Sequence, residues 1–194
     1  MNSMMKILAL TFLIISTQCF ADIEKIYSPS KEESINYTCA DDNCSAWIES
    51  KTTKISLFND LPTSTINAQW HTPELARISF SCGSSCNVSF FYQKEYGASK
   101  PIRDMMALDK KRVCILKPTL DGKGIAVEKI FYKNGEKYYW QANYNDPKFG
   151  FYTQSAVIFS TIKGKFLING QLKLSYLNSK GVNTELLINQ KCPD

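Results

Sequence analysis

The sequence predicts an all-β fold: an antiparallel sandwich or meander stapled by disulfides, with at most one short helix. Three observations predict it. Apolar and polar residues alternate with period two over several runs, the pattern of half-buried strands. Turn residues recur at about the 8–12-residue spacing expected of all-β domains. An even set of cysteines remains once an N-terminal export segment is set aside.

That segment comes first in the chain. Lys6 is followed by an apolar run, Ile7 to Ile15, and then by Ser16-Thr17-Gln18-Cys19-Phe20-Ala21. This is the layout of a secretory signal peptide cleaved after Ala21. The run is too short to span a bilayer. A lipoprotein anchor on Cys19 fits poorly, because a bulky polar Gln18 precedes it. Residues 1–21 therefore read as signal peptide and 22–194 as one exported β domain. Removing the segment removes one lysine, so the net charge falls from +5 to +4. The expected compartment is the periplasm, with secretion as the alternative.

Asp22 to Ser34 is polar, with Pro29 and four acidic residues, and reads as an irregular lead-in. Ala76 to Cys82 is the clearest strand. Ala76, Ile78, Phe80 and Cys82 alternate with Arg77, Ser79 and Ser81. Gly83-Ser84-Ser85 then turns the chain, and Val88, Phe90 and Tyr92 resume the alternation. Pro101 to Asp109 reads as a short helix, with Met105, Met106 and Leu108 inward, or as a strand leading into Val113 to Leu116. Ile125 to Tyr132, Asn134-Gly135 and Lys137 to Ala142 form a hairpin pattern, since Asn-Gly suits the positive φ of a type I′ turn. Ser155 to Ile162 is β-branched and aromatic and reads as a strand. Phe166 to Ile168, Asn169-Gly170 and Leu172 to Tyr176 make a further hairpin. Gly181 precedes a last strand, Thr184 to Ile188.

The retained cysteines are Cys39, Cys44, Cys82, Cys86, Cys114 and Cys192. Proximity pairs Cys39 with Cys44 and Cys82 with Cys86, which leaves Cys114 for Cys192. Cys82-Gly-Ser-Ser-Cys86 has three intervening residues inside a predicted hairpin. Redox motifs favour two residues at a helix start, so the structural role is expected. A zinc site is disfavoured for the same spacing reason.

Catalytic groupings are sparse. His71 is the one histidine and has no Gly-x-Ser-x-Gly elbow to serve. Asp41-Asp42, Asp104 with Asp109, Glu128 with Glu136, and Asp146 are carboxylates that a glycosidase would need at a set separation. Asp121-Gly122-Lys123-Gly124 lacks the Gly-Lys-Ser/Thr ending of a phosphate loop and reads as a turn. Asp41-Asp42-Asn43 lacks EF-hand order. Neither a cofactor nor a metal is expected. The mild basic excess lacks the stripe of a nucleic-acid binder, and no second run is long enough to span a membrane.

The segment Lys137 to Tyr152 is the richest in binding residues. Its loop, Asn143 to Gly150, is polar yet carries two aromatics. Such mixtures make protein contacts at low entropy cost. Tyr144, Asn145, Asp146, Lys148 and Phe149 are therefore the expected partner-binding set, with Trp70 and His71 as a second patch. The expected role is non-catalytic binding of a protein partner, as an inhibitor or immunity protein against a toxin or cell-wall hydrolase. A glycan- or ligand-binding module is the alternative, and a carboxylate-dependent hydrolase comes third.

Overall fold

The computed structural model describes residues 22–84, 86–131, 138–190 and 192–193. Sixteen strands fall into four antiparallel meanders that follow chain order. The first sheet holds β1 (Glu24–Tyr27), β2 (Glu33–Ala40), β3 (Asn43–Ser50) and β4 (Lys54–Pro62). The second holds β5 (Asn67–Trp70), β6 (Leu75–Gly83), β7 (Cys86–Gln93) and β8 (Gly97–Ala98), with β9 (Ile102–Arg103) also pairing with β7. The third holds β10 (Ala107–Asp109), β11 (Cys114–Pro118), β12 (Gly124–Lys129) and β13 (Tyr138–Asn143). The fourth holds β14 (Ile162–Phe166), β15 (Leu172–Leu177) and β16 (Asn183–Ile188).

Alternation of side chains across each strand explains the stacking. A strand sends successive side chains to opposite faces, and the inner sheets are apolar on both. Ala76, Ile78, Phe90 and Tyr92 of the second sheet meet Ile35, Ala46, Ile48 and Phe58 of the first. Leu75 and Phe91, on the opposite face, meet Ile115 of the third sheet, with Ile102 and Ile130. Cys114, Leu116, Ile125 and Val127 then face Ile162, Leu172, Leu174 and Ile188 of the fourth. The meander alternative therefore describes the fold, as a stack of sheets in chain order.

All three expected cysteine pairs are bonded. Cys39 and Cys44 are direct cross-strand partners around a two-residue turn. Asp41 and Asp42 both take positive φ there, 49° and 61°, as a type I′ turn requires. This pair shapes a hairpin. The β6–β7 hairpin carries the second bridge at its turn, with Ser85 outside the described residues. Cys114 to Cys192 ties β11 to the chain beyond β16.

Three local expectations are corrected. The lead-in is not irregular throughout: β1 pairs with β2, and half-buried Ile26 reaches the first core. Its polarity is that of an edge strand. Of the two readings of Pro101 to Asp109, the extended one holds and the helix does not. Met105 and Leu108 feed the core between the second and third sheets, whereas Met106 and Ala107 feed the next core. One helical face cannot serve both. Within Ser155 to Ile162, the strand starts only at Ile162. A 3₁₀ turn, η1 (Ile158–Thr161), precedes it. Ser155 Oγ accepts from Val157 N–H, and the Ser160 and Thr161 hydroxyls donate to the carbonyls of Val157 and Ile158. These local bonds compete with strand pairing. The Asn134-Gly135 turn lies outside the described residues, although β12 and β13 on either side do pair.

Candidate functional site

The loop after β13 is a compact turn with its aromatics folded beneath it. Asp146 organises it: its amide donates to Asn143 O, its carbonyl accepts from Phe149 and Gly150, and its carboxylate accepts from Lys148 N–H at 2.9 Å. Gly150 takes φ 54°, a left-handed conformation that suits glycine. Phe149 stacks on Phe151 at 5.5 Å and meets Trp140 edge-on, and Phe151 contacts Tyr176 at 4.7 Å. The Tyr176 hydroxyl donates to Phe149 O at 3.0 Å. Tyr144 and Phe149 are only 6% and 8% exposed.

The expectation that these two rings present themselves to a partner is therefore corrected. The loop is polar because its backbone and short side chains face water. Its rings are apolar because they complete the core between the third and fourth sheets. Asn145 and Lys148 are exposed and Asp146 is half-buried.

Trp70 and His71 belong to a different core. The Trp70 indole donates to Ile26 O at 3.1 Å and meets Tyr92 edge-on, which fastens the second sheet to the first. His71 closes the β5–β6 turn by donating its amide to Leu75 O. Its Nε2 is buried without a partner among the described residues. Burial first, then the charges of Arg77 and Lys110, hold its pKa below the ordinary value. The two predicted patches are thus not brought together.

What the fold does assemble is a cleft of about 660 Å³ beside the loop. Its walls come from the β8–β9 link, the β11–β12 turn and the segment 155–159. Tyr144 is the one predicted site residue in its lining. The Tyr144 hydroxyl is buried without a partner among the described residues. Burial, then the nearby Asp121 charge, pushes its pKa up to about 12. Pro118, Leu120, Val157, Ile158 and Phe159 supply apolar wall. Lys117 also lines the cleft, and its Nζ lies 2.7 Å from Glu128 Oε1 in a pair that is almost wholly buried. Arg103 ends β9 and Asp104 follows it on the facing side, where Asp104 accepts from Asn87 N–H at 3.1 Å.

Sequence reasoning missed Lys117 and Arg103. Lys117 had a signal: a lysine closing the run Cys-Ile-Leu-Lys, facing a glutamate that closes Ile-Ala-Val-Glu. Charges inside apolar strands imply a buried pair. The turn reading of Asp121 to Gly124 agrees with the structure. Asp121 accepts from Thr119 Oγ1 and Lys123 N–H, and these bonds hold its pKa below the usual carboxylate value.

The candidate carboxylates are mostly engaged in structure. Asp109 pairs with Arg112 and Glu128 with Lys117, while Glu136 lies outside the described residues. Among the described residues no three His, Cys, Asp or Glu side chains gather where a metal ion would sit. No helix among them is long and apolar enough to cross a membrane.

No protein-family model matches the sequence, and no curated protein matches it. Among solved structures, the apo form of the AtxE2 isopeptidase aligns with 89% of this chain at 10% identity and a TM-score of 0.28. This chain spans 40% of the length of that one. A likeness at that score carries no argument about fold or activity.

Proposed function

We propose that this is an exported, non-catalytic binding protein that holds and neutralises a protein partner, a toxin or cell-wall hydrolase, in the periplasm. The observation that supports the reading is the cleft beside Tyr144. Its volume falls within the roughly 300–1,000 Å³ typical of binding clefts, and its lining mixes apolar wall with charges of both signs. Arg103 is offset by adjacent Asp104, and Lys117 by Glu128. Such a lining suits an apolar side chain of a partner, with polar contacts at the rim. Leu120, 73% exposed on the β11–β12 turn, is a rim anchor that costs the fold little to change.

The test uses oxidised protein from residue 22 onward, incubated with envelope extract of its source. The expected result is one stoichiometric protein partner whose lytic or toxic activity falls on binding. Leu120→Asp together with Val157→Asp should weaken the complex by about 2 kcal/mol or more, the scale of an interface hot spot. Full neutralisation by that double variant would remove the cleft from the reading. The cleft also favours a second reading, a ligand- or glycan-binding module. Retention on peptidoglycan, competed by soluble sugar and with no protein held, would establish it instead.

A further inference from the structure

The fourth sheet ends at β16, and no strand pairs with its outer edge among the described residues. Edge strands are usually guarded by charged side chains, lysine above all, or by proline or a bulge, and the one charge on β16, Glu185, is held by Lys173. The opposite edge of this sheet, β14, carries Lys163 and Lys165. β16 reads Asn-Thr-Glu-Leu-Leu-Ile and has no lysine, no proline and no register shift against β15. Thr184, Leu186 and Ile188 point toward the core, and Asn183, Glu185 and Leu187 point to solvent. Leu187, the last outward-facing residue of the strand, is 45% exposed.

An open edge can pair with another copy of itself around a two-fold axis, which makes the contact self-complementary. Opposed residues must lie on the same face, so only alternate registers are allowed. One such register sets Glu185 directly against the second Glu185, and like charges directly opposed are unfavourable. The next sets Leu186 against Leu186, Thr184 against Ile188, and Glu185 against Leu187. In this register the opposed pairs within Thr184 to Ile188 are apolar or mixed, and no like charges meet. Each Glu185, already 2.8 Å from its own Lys173 through Oε2, lies opposite the copy's Leu187. Lys173 is the cross-strand partner of Leu187, so the copy's lysine lies one strand beyond that leucine, about 9.5 Å across the sheet from each glutamate.

We propose that two copies of this chain associate through antiparallel pairing of β16, with Leu186 on the two-fold axis, forming one continuous six-stranded sheet. The contact is independent of the cleft and of the partner proposed for it.

Sedimentation of the oxidised chain from residue 22 onward, over micromolar to millimolar concentration, should show a monomer–dimer equilibrium. Leu187→Lys restores an edge guard at an exposed position, so the fold is kept. It should weaken the dimer at least about tenfold. Register is read by mixing Glu185→Cys protein with Leu187→Cys protein under oxidation. Cross-linking between unlike variants is expected, with little within Glu185→Cys alone. A monomer at every concentration, or a dimer indifferent to Leu187→Lys, overturns the proposal. Preferential Glu185→Cys self-linking overturns the register.

Discussion

Glu128 illustrates how a single side chain can be fixed by its partner. Its Oε1 takes the Lys117 ammonium, and its Oε2 is buried without a partner among the described residues. Removing one member of a buried pair leaves the other charge uncompensated, at about 3–5 kcal/mol, whereas replacing both by apolar residues is often neutral. Glu128→Gln should therefore lower the denaturant midpoint sharply, and Lys117→Met with Glu128→Leu should recover most of it. An equal loss in single and double variants would show that the pair does not act as a unit. His71 offers a pH test. Its folded pKa is depressed, so the unfolded chain takes up the proton first as pH falls below about 6.5. Stability is present above that value and is lost on acidification through the folded pKa. Unfolding measured from pH 7 to 5.5 should decline in the parent and stay flatter in His71→Gln. The sequence named His71 as a binding residue because a lone histidine before a strand attracts notice. Nothing in its neighbours revealed that Arg77, six residues on, would press on its charge.

At the scale of elements, the hairpins were the readable part. Ala76 to Tyr92 declared both strands, their faces and their bridge, since period-two alternation and a Gly-Ser turn are local signals. Ser155 to Ile162 misled for an equally physical reason. Its β-branched residues favour a strand, yet three hydroxyls within the segment satisfy the backbone locally. The loop at Asn143 to Gly150 was legible in composition and illegible in direction. Its aromatic residues are needed by a core whose other half, β14 to β16, comes later in the chain. The Cys114–Cys192 bridge spans 78 residues of sequence. In the chain-entropy model, closing so long a loop contributes about 4 kcal/mol. Changing both cysteines to alanine should lower stability by about that amount. The same change at Cys39 and Cys44 should cost less. Chemical denaturation of the two double variants compares them directly.

For the molecule as a whole, the all-β class followed from pattern alone, but the stacking order did not. A sequence shows that Leu75 and Ala76 are both apolar. It does not show that one faces the third sheet and the other the first. That division arises because β6 lies in an inner sheet, buried on both faces. The same cause places the cleft: segments around residues 101–104, 117–122 and 155–159 meet only after the third sheet packs on its neighbours. Tyr144 drew attention as an aromatic in a polar loop, and its place in the cleft wall emerged only from that packing.

The order of the bridges has a consequence for synthesis. A growing chain presents Cys39 with Cys44, and then Cys82 with Cys86, while each hairpin forms. Each pair removes two competitors before the next cysteine emerges. Cys114 must then wait until the last turn of the chain has been made. Its partner arrives only after the strands of the third and fourth sheets have emerged, so this bond reports on completeness: a chain cut short between residues 114 and 192 keeps the Cys114 thiol unspent, an unpaired sulfur that thiol-based quality control can detect.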